Sequence, residues 1–185
     1  PEPPATTAPT ATPKPTATPK PTPTPFPVDP DDTGIWENNA DISWIDPTKP
    51  MIAFTFDDGP IGTADTAASI RIQNALAASG QHATFFYWGN RINSANEAEI
   101  KRAYDMGFEI GNHTYSHPNL TTLTADKIYE NYMKCADKLT AITGLSHFLV
   151  RPPYLATNTT VKNTVREPMI NCSIDSKDWD GASTE

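Results

Sequence analysis

"IAFTFDDGP", residues Ile52 to Pro60, is an apolar strand that stops at two adjacent carboxylates, a glycine and a proline. Neighbouring carboxylates repel each other, and each resists leaving water unless it is paired or metal-bound. Asp-Gly is also an ordinary turn dipeptide. Whether Asp57 and Asp58 make a turn or a site depends on what the rest of the chain brings to the same place.

Strand-like runs fall at 51–56, 83–88, 108–110, 147–150 and 169–174, with helical patterns between them at about 64–79, 94–106, 124–143 and 158–166. Gly80 and Gly107 are stop signals for the first two helices, and Thr124 is a suitable N-cap for the third. The alternation predicts an α/β fold with parallel strands joined by helical crossovers. The strands are apolar runs rather than clean alternations, as expected when both faces are covered. A barrel and an open doubly wound sheet both satisfy this pattern, although five strands are too few for a complete eight-stranded barrel.

Polar clusters follow four of the five strands. Asp57 and Asp58 follow the first, "GNHTYSHP" (111–118) the third, "RPPY" (151–154) the fourth and "DSKDW" (175–179) the fifth. Active sites of parallel α/β folds form at the carboxyl ends of the strands. His82 and His147 precede their strands and are expected at the opposite end. His113 and His117, four residues apart, can reach one metal from a helical turn or a tight loop, and Pro118 disfavours a long helix there. Two surface histidines are the bland reading. Two histidines and one aspartate with an open position are a composition known for catalytic zinc. One aspartate then ligates, and its neighbour is free to act as a general base. Arg151 pairs the spare aspartate or is a surface cation near Asp46 or Glu109. "PPY" stiffens a backbone that can aim an N–H at an oxyanion. Trp179 suits a sugar face, a small apolar pocket or the core; Trp36 and Trp44 carry no signal.

The bulk numbers narrow the partners. Residues 1–30 hold twelve of the nineteen prolines and eight threonines, with a repeat of "TPKPTA" (12–17) as "TPKPTP" (18–23). Such a segment has no apolar face with which to offset its ordering entropy, and it reads as a disordered, semi-rigid linker. An irregular lead-in spans 31–50 and one domain spans 51–185. Lys14 and Lys20 cancel Glu2 and Asp29, so the net charge of −8 belongs to residues 31–185. That acidity argues against nucleic acid or an anionic membrane, and a neutral substrate fits better. No apolar run approaches the roughly 20 residues of a membrane span. No signal peptide opens the chain, so a mature product or an internal piece is expected, and the Pro-Thr linker favours a secreted or cell-surface protein. Cys135 lies on a helical stripe with Ile128, Tyr132, Leu139 and Ile142, and Cys172 alternates with Ile170 and Ile174. Both read as buried, unpaired thiols, with a disulfide between them as the alternative.

Over roughly residues 50–180, "TFDDGP" (55–60), "HTYSHP" (113–118), "RPPY" and "DSKDW", in this order, resemble the NodB-homology polysaccharide deacetylases of carbohydrate esterase family 4. "ATFFYWGNR" and "GFEIGNHTYSHPNL" are similar to further phrases of that family. The resemblance implies a distorted (β/α) barrel and a metal-dependent hydrolase that removes acetyl groups from polysaccharides. It makes Asp57 the base, Asp58, His113 and His117 the metal ligands, and Arg151 the partner of Asp57. Tyr154 would offer its N–H to the oxyanion, and Trp179 would line the acetyl pocket. Zinc is the expected metal, with cobalt, nickel or manganese also suited to the ligands.

Two departures from the family stand out. Leu155 replaces the glycine usual after "RPPY", which places a side chain at the site mouth and disfavours a left-handed turn. A fifth motif, Leu-x-His, which supplies the acid for the leaving group, has no counterpart after His147. The chain is therefore expected to be a fragment without its last barrel strands, with further domains in its parent, poorly soluble and nearly inactive. N-deacetylation of GlcNAc in peptidoglycan or chitin is the leading expectation. O-deacetylation of xylan is the alternative, and an inactive sugar-binding fragment is the alternative of another class.

Overall fold

The computed structural model describes residue 46 and residues 48–181. The Pro/Thr segment at 1–30, most of the lead-in with Trp36 and Trp44, and the last four residues lie outside the described residues. Four parallel strands, β1 (Phe54–Gly59), β2 (Ala83–Tyr87), β3 (Glu109–Asn112) and β4 (Leu149–Val150), lie side by side in chain order. Helices α1 (Ala68–Ser79), α2 (Glu97–Asp105) and α3 (Ala125–Thr143) make the crossovers, and α4 (Thr159–Val165) follows β4.

Local signals set some of the helix ends. Gly80 ends α1 in the left-handed conformation (φ 64°) that glycine adopts freely. Asn158 caps α4 by accepting the N–H of Val161 at 2.9 Å. Thr124 occupies the N-cap of α3, but its hydroxyl makes no capping bond. On α3, Ile128, Tyr132, Cys135 and Leu139 recur at the 3–4 spacing of one helix face, and all four are buried. They close on Phe85 and Tyr87 of β2, Ile100 of α2, Leu120, Phe148 and Val150. Full burial of each such side chain contributes about 1.5–3 kcal/mol.

Three expectations need correction. Residues 51–53 are not strand; Met51 and Ile52 are exposed, and β1 begins at Phe54. The fifth strand at 169–174 shrinks to one parallel bridge, Val150 to Met169. Only Pro168 and Ile170 exchange backbone hydrogen bonds with Val150. Beyond them Ile174 is 88% exposed, so its apolar alternation finds nothing to pack against. Cys172 is accordingly only partly buried, whereas Cys135 is fully buried, and both thiols are unpaired as expected.

Glu109 opens β3 opposite Thr84, with its Oε1 buried and without a hydrogen-bond partner. Burial raises its carboxyl from 4.5 to about 7. The unfolded chain releases this proton first, so the group removes stability as pH rises from about 4.5 to about 7. Glu109→Gln is expected to raise unfolding free energy by about 1–2 kcal/mol at pH 8, after allowance for solvent screening. No gain is expected at pH 4. Urea unfolding of both proteins at the two pH values measures the difference, and an equal effect at both would refute the assignment.

Candidate active site

The strand ends bring Asp57, Asp58, His113, His117, Arg151, Tyr154 and Trp179 to one cleft of about 900 Å³. His82 and His147 lie at the N-terminal ends of β2 and β4, the edge away from it. The β1–β2 register shifts between Phe56 and Gly59, and Asp58 takes a left-handed φ of 67°. That irregularity turns the second carboxylate out of strand alternation, and a cis peptide joins Gly59 to Pro60. The two aspartates consequently meet different partners.

Asp58 Oδ1 lies 3.5 Å from His113 Nε2 and 3.4 Å from His117 Nε2. Both separations exceed an ordinary N–H···O hydrogen bond of about 2.7–3.2 Å. Oδ1 is buried and accepts no hydrogen bond. Ligands at zinc–donor distances of about 2.0–2.2 Å in a tetrahedron stand roughly 3.3–3.6 Å apart. An orphaned oxygen facing two imidazole nitrogens at that spacing fits a divalent cation. Asp58, His113 and His117 are also the one group of three potential ligands found among the described residues.

The ligand tautomer of His113 is set from behind. Its Nδ1–H donates to the Arg151 carbonyl at 2.6 Å, which leaves Nε2 with a lone pair toward Asp58. Burial, the largest influence, lowers the His113 pKa against the raising effects of Asp57, the Arg151 carbonyl and Asp58. The segment from His113 to His117 is a tight loop rather than a helical turn, with Thr114 and His117 at φ 66° and 55°. Asn112 Oδ1 accepts the Thr114 N–H, and Asn131 of α3 accepts from Tyr115 N and Ser116 N. Asn112 stands inside the quoted motif; Asn131, on a helix face, gave no signal.

Arg151 is 3% exposed, which excludes the surface-cation reading. Its Nη1 donates to Asp57 Oδ1 at 2.9 Å and to Thr55 Oγ1 at 2.7 Å. Nε donates to the Ile170 carbonyl, and Nη2 to that of Asn171. The guanidinium lies 4.4 Å from the centre of the Phe86 ring. Gly111 makes room for that ring, since a Cβ at 111 would run into it. Arg151→Ala is expected to lower unfolding free energy by about 3 kcal/mol, toward the lower end for a broken buried pair because Asp57 retains some solvent. Arg151→Lys should recover less than half, because an ammonium cannot reproduce the fork. Denaturant midpoints decide this, and a loss under about 1 kcal/mol would mean that the network is marginal.

"PPY" forms a short turn in which Tyr154 and Leu155 both have positive φ, 59° and 55°. The expectation that Leu155 resists a left-handed turn is therefore wrong. Leu155 N–H and Ala156 N–H donate to Pro152 and Pro153 carbonyls, and these bonds hold the turn despite the steric cost. The Tyr154 N–H makes no hydrogen bond to a described residue, and its ring meets His117 at 5.0 Å. Trp179 stands at the rim, 74% exposed, with Nε1 donating to Asp175.

Comparisons with known proteins identify the family. Residues 45–171 match the polysaccharide deacetylase family. The chain is 35% identical over 135 residues to the peptidoglycan-N-acetylmuramic acid deacetylase PdaC of Bacillus subtilis (73% of this chain, 28% of that protein). The solved structure of PdaC superposes with a TM-score of 0.68 at 32% identity, covering 74% of this chain and 65% of that one. A peptidoglycan-N-acetylglucosamine deacetylase of Bacillus cereus is 32% identical over 167 residues (84% of this chain, 58% of that protein). A family 4 acetyl xylan esterase of Clostridium thermocellum, solved with a cobalt ion, gives a TM-score of 0.65 at 30% identity (71% of this chain, 60% of that one). The chain thus spans less than two thirds of each of these relatives. Its four parallel strands and four helices correspond to part of their distorted barrel. By motif order, by the match over residues 45–171 and by fold, the chain belongs to the polysaccharide deacetylase family.

Proposed function

We propose that this chain carries the metal-holding and proton-accepting half of a hydrolase that removes N-acetyl groups from GlcNAc units of peptidoglycan or chitin. The observation that carries the reading is the Asp58–His113–His117 triangle with Asp57 held beside it by Arg151. Zinc, or cobalt, nickel or manganese in its place, would be held by Asp58, His113 and His117 and would supply the Lewis acidity that activates water and the acetyl carbonyl.

Asp57 takes the proton of the attacking water, and Arg151 fixes its carboxylate for that transfer. The unused N–H of Tyr154 donates to the oxyanion as it forms. Trp179 shields the acetyl methyl and offers a face to the sugar. The last histidine of the sequence, His147, sits at the far end of β4 and is not placed to protonate the leaving amine. A missing acid typically costs about 10²–10⁴ in rate, so the chain alone should turn over slowly. The Pro-Thr segment supports a location outside the cell, which a cell-wall substrate would require.

O-deacetylation of xylan is the second reading, favoured by the likeness to an acetyl xylan esterase at 30% identity. Acetate release from N-acetylchitopentaose and from acetylated xylan, with Zn²⁺ and after chelation, separates the two. Release from the chitooligosaccharide that stops on chelation supports the first reading. Release from xylan alone reverses the order, and sugar binding without release from either leaves a binding module.

A further inference from the structure

Glu99 stands on α2, outside every motif, and is completely buried. Its Oε2 accepts two short backbone hydrogen bonds, from Ile61 N–H at 2.8 Å and Gly62 N–H at 2.7 Å. These amides begin the segment that leaves the Asp58 turn. Its Oε1 is buried, has no hydrogen-bond partner and lies 3.5 Å from where a Cβ on Gly59 would stand. No Lys or Arg pairs with Glu99 among the described residues. The nearby Tyr87 hydroxyl is held far above its ordinary pKa, first by burial and then by the Glu99 charge.

A buried carboxylate without a cation is costly, and an apolar side chain would fill this position on α2 more favourably. What the carboxylate alone provides is two charge-assisted bonds on adjacent amides, which hold the exit from the turn in one conformation. The same turn is held elsewhere too. Arg91 Nη1 donates to the Asp58 carbonyl at 2.6 Å, and Trp88 N–H donates to the Gly59 carbonyl at 2.7 Å. Asp58 itself has a left-handed backbone (φ 67°), which aspartate tolerates better than most residues but which still needs support from its surroundings. Without an anchor on the Ile61–Gly62 side, that turn has an easy route back to ordinary strand geometry. Its carboxylate would then swing away from the two imidazoles.

We infer that Glu99 is a positioning residue: its contact with the Ile61 and Gly62 amides sets the turn that aims Asp58 at His113 and His117. The inference rests on the reading of those three residues as a divalent-cation site.

Titration of the 185-residue chain with Co²⁺, followed by its visible absorption and by calorimetry, tests it on the wild type and on three variants. Glu99→Leu removes both acceptors and is expected to weaken Co²⁺ binding by about tenfold, the lower end of the loss for a direct outer-shell partner, because Glu99 acts on Asp58 through the Ile61 and Gly62 amides. Glu99→Asp keeps the charge but withdraws it by one methylene, and it should weaken binding and alter the band shape. Glu99→Gln keeps an acceptor for both amides and should recover most of the affinity. If the Leu variant does not fold, the Asp and Gln variants decide. Leu and Asp variants with wild-type Co²⁺ affinity and spectrum, and only a lowered melting temperature, would reduce Glu99 to a structural residue. A Gln variant no better than Leu would equally overturn the inference. A wild-type chain that binds no Co²⁺ defeats the metal reading itself, and this inference with it.

Discussion

Replacing Asp57 by asparagine is expected to lower acetate release by about 10²–10⁴-fold, the usual contribution of a positioned general base. Cation affinity should stay within about threefold of wild type, since Asp57 lies outside the Asp58–His113–His117 group. The amide oxygen can still accept from Arg151 Nη1, so the geometry is largely kept while the capacity to take a proton is lost. Some stability is lost as well, because a buried guanidinium then lacks its anion. Initial rates of acetate release, paired with a Co²⁺ titration of the same preparation, make the measurement. Undiminished release would move the base to another group. Loss of cation binding would make Asp57 a ligand.

The opposite split is expected at the neighbouring position. Asp58→Asn should weaken Zn²⁺ or Co²⁺ binding by at least ~100-fold, more than loss of a second-sphere partner costs. Stability without metal should change by less than about 0.5 kcal/mol. Asparagine tolerates the φ of 67° at this position as well as aspartate does. The oxygen whose charge is removed has no hydrogen-bond partner to lose. Calorimetric titration and thermal melting with and without metal read the two effects separately. A large drop in metal-free stability would mean that Asp58 holds the fold through the histidines. Retained affinity would remove it from the ligand set.

These two experiments bear on a distinction that the strand sequence alone leaves open. "TFDD" places its aspartates on adjacent positions, where strand alternation would send them to opposite faces. The register shift in β1 sends one to Arg151 and the other to the histidines, 3.4 and 3.5 Å away. Much else was legible beforehand. The strand–helix alternation, the end of the sheet that carries the polar clusters, the buried stripe of α3 and the unpaired cysteines all follow from local pattern. Burial of a helix face or a strand is repeated every few residues, so a short window is enough to reveal it.

Readings that needed a partner distant in sequence fared differently. The 169–174 run alternates as a strand should, yet only its first residues pair, because pairing requires a neighbour that a one-dimensional pattern cannot supply. Leu155 shows the same limit for backbone conformation. Its intrinsic preference opposes φ 55°, and two turn hydrogen bonds prevail. Glu99 belongs to none of the motifs, yet it is buried and lies 38 residues along the chain from the Ile61 amide it holds. The sequence by itself determined the class of fold, the family and which polar residues gather at one end of the sheet, because those depend on residue types at short spacings. Only the tertiary structure decided how they are held: Arg151 meets Asp57 across 94 residues, and Glu99 meets the turn after Asp58. Such contacts depend on strand register and helix docking, which are set by the whole core rather than by any one segment.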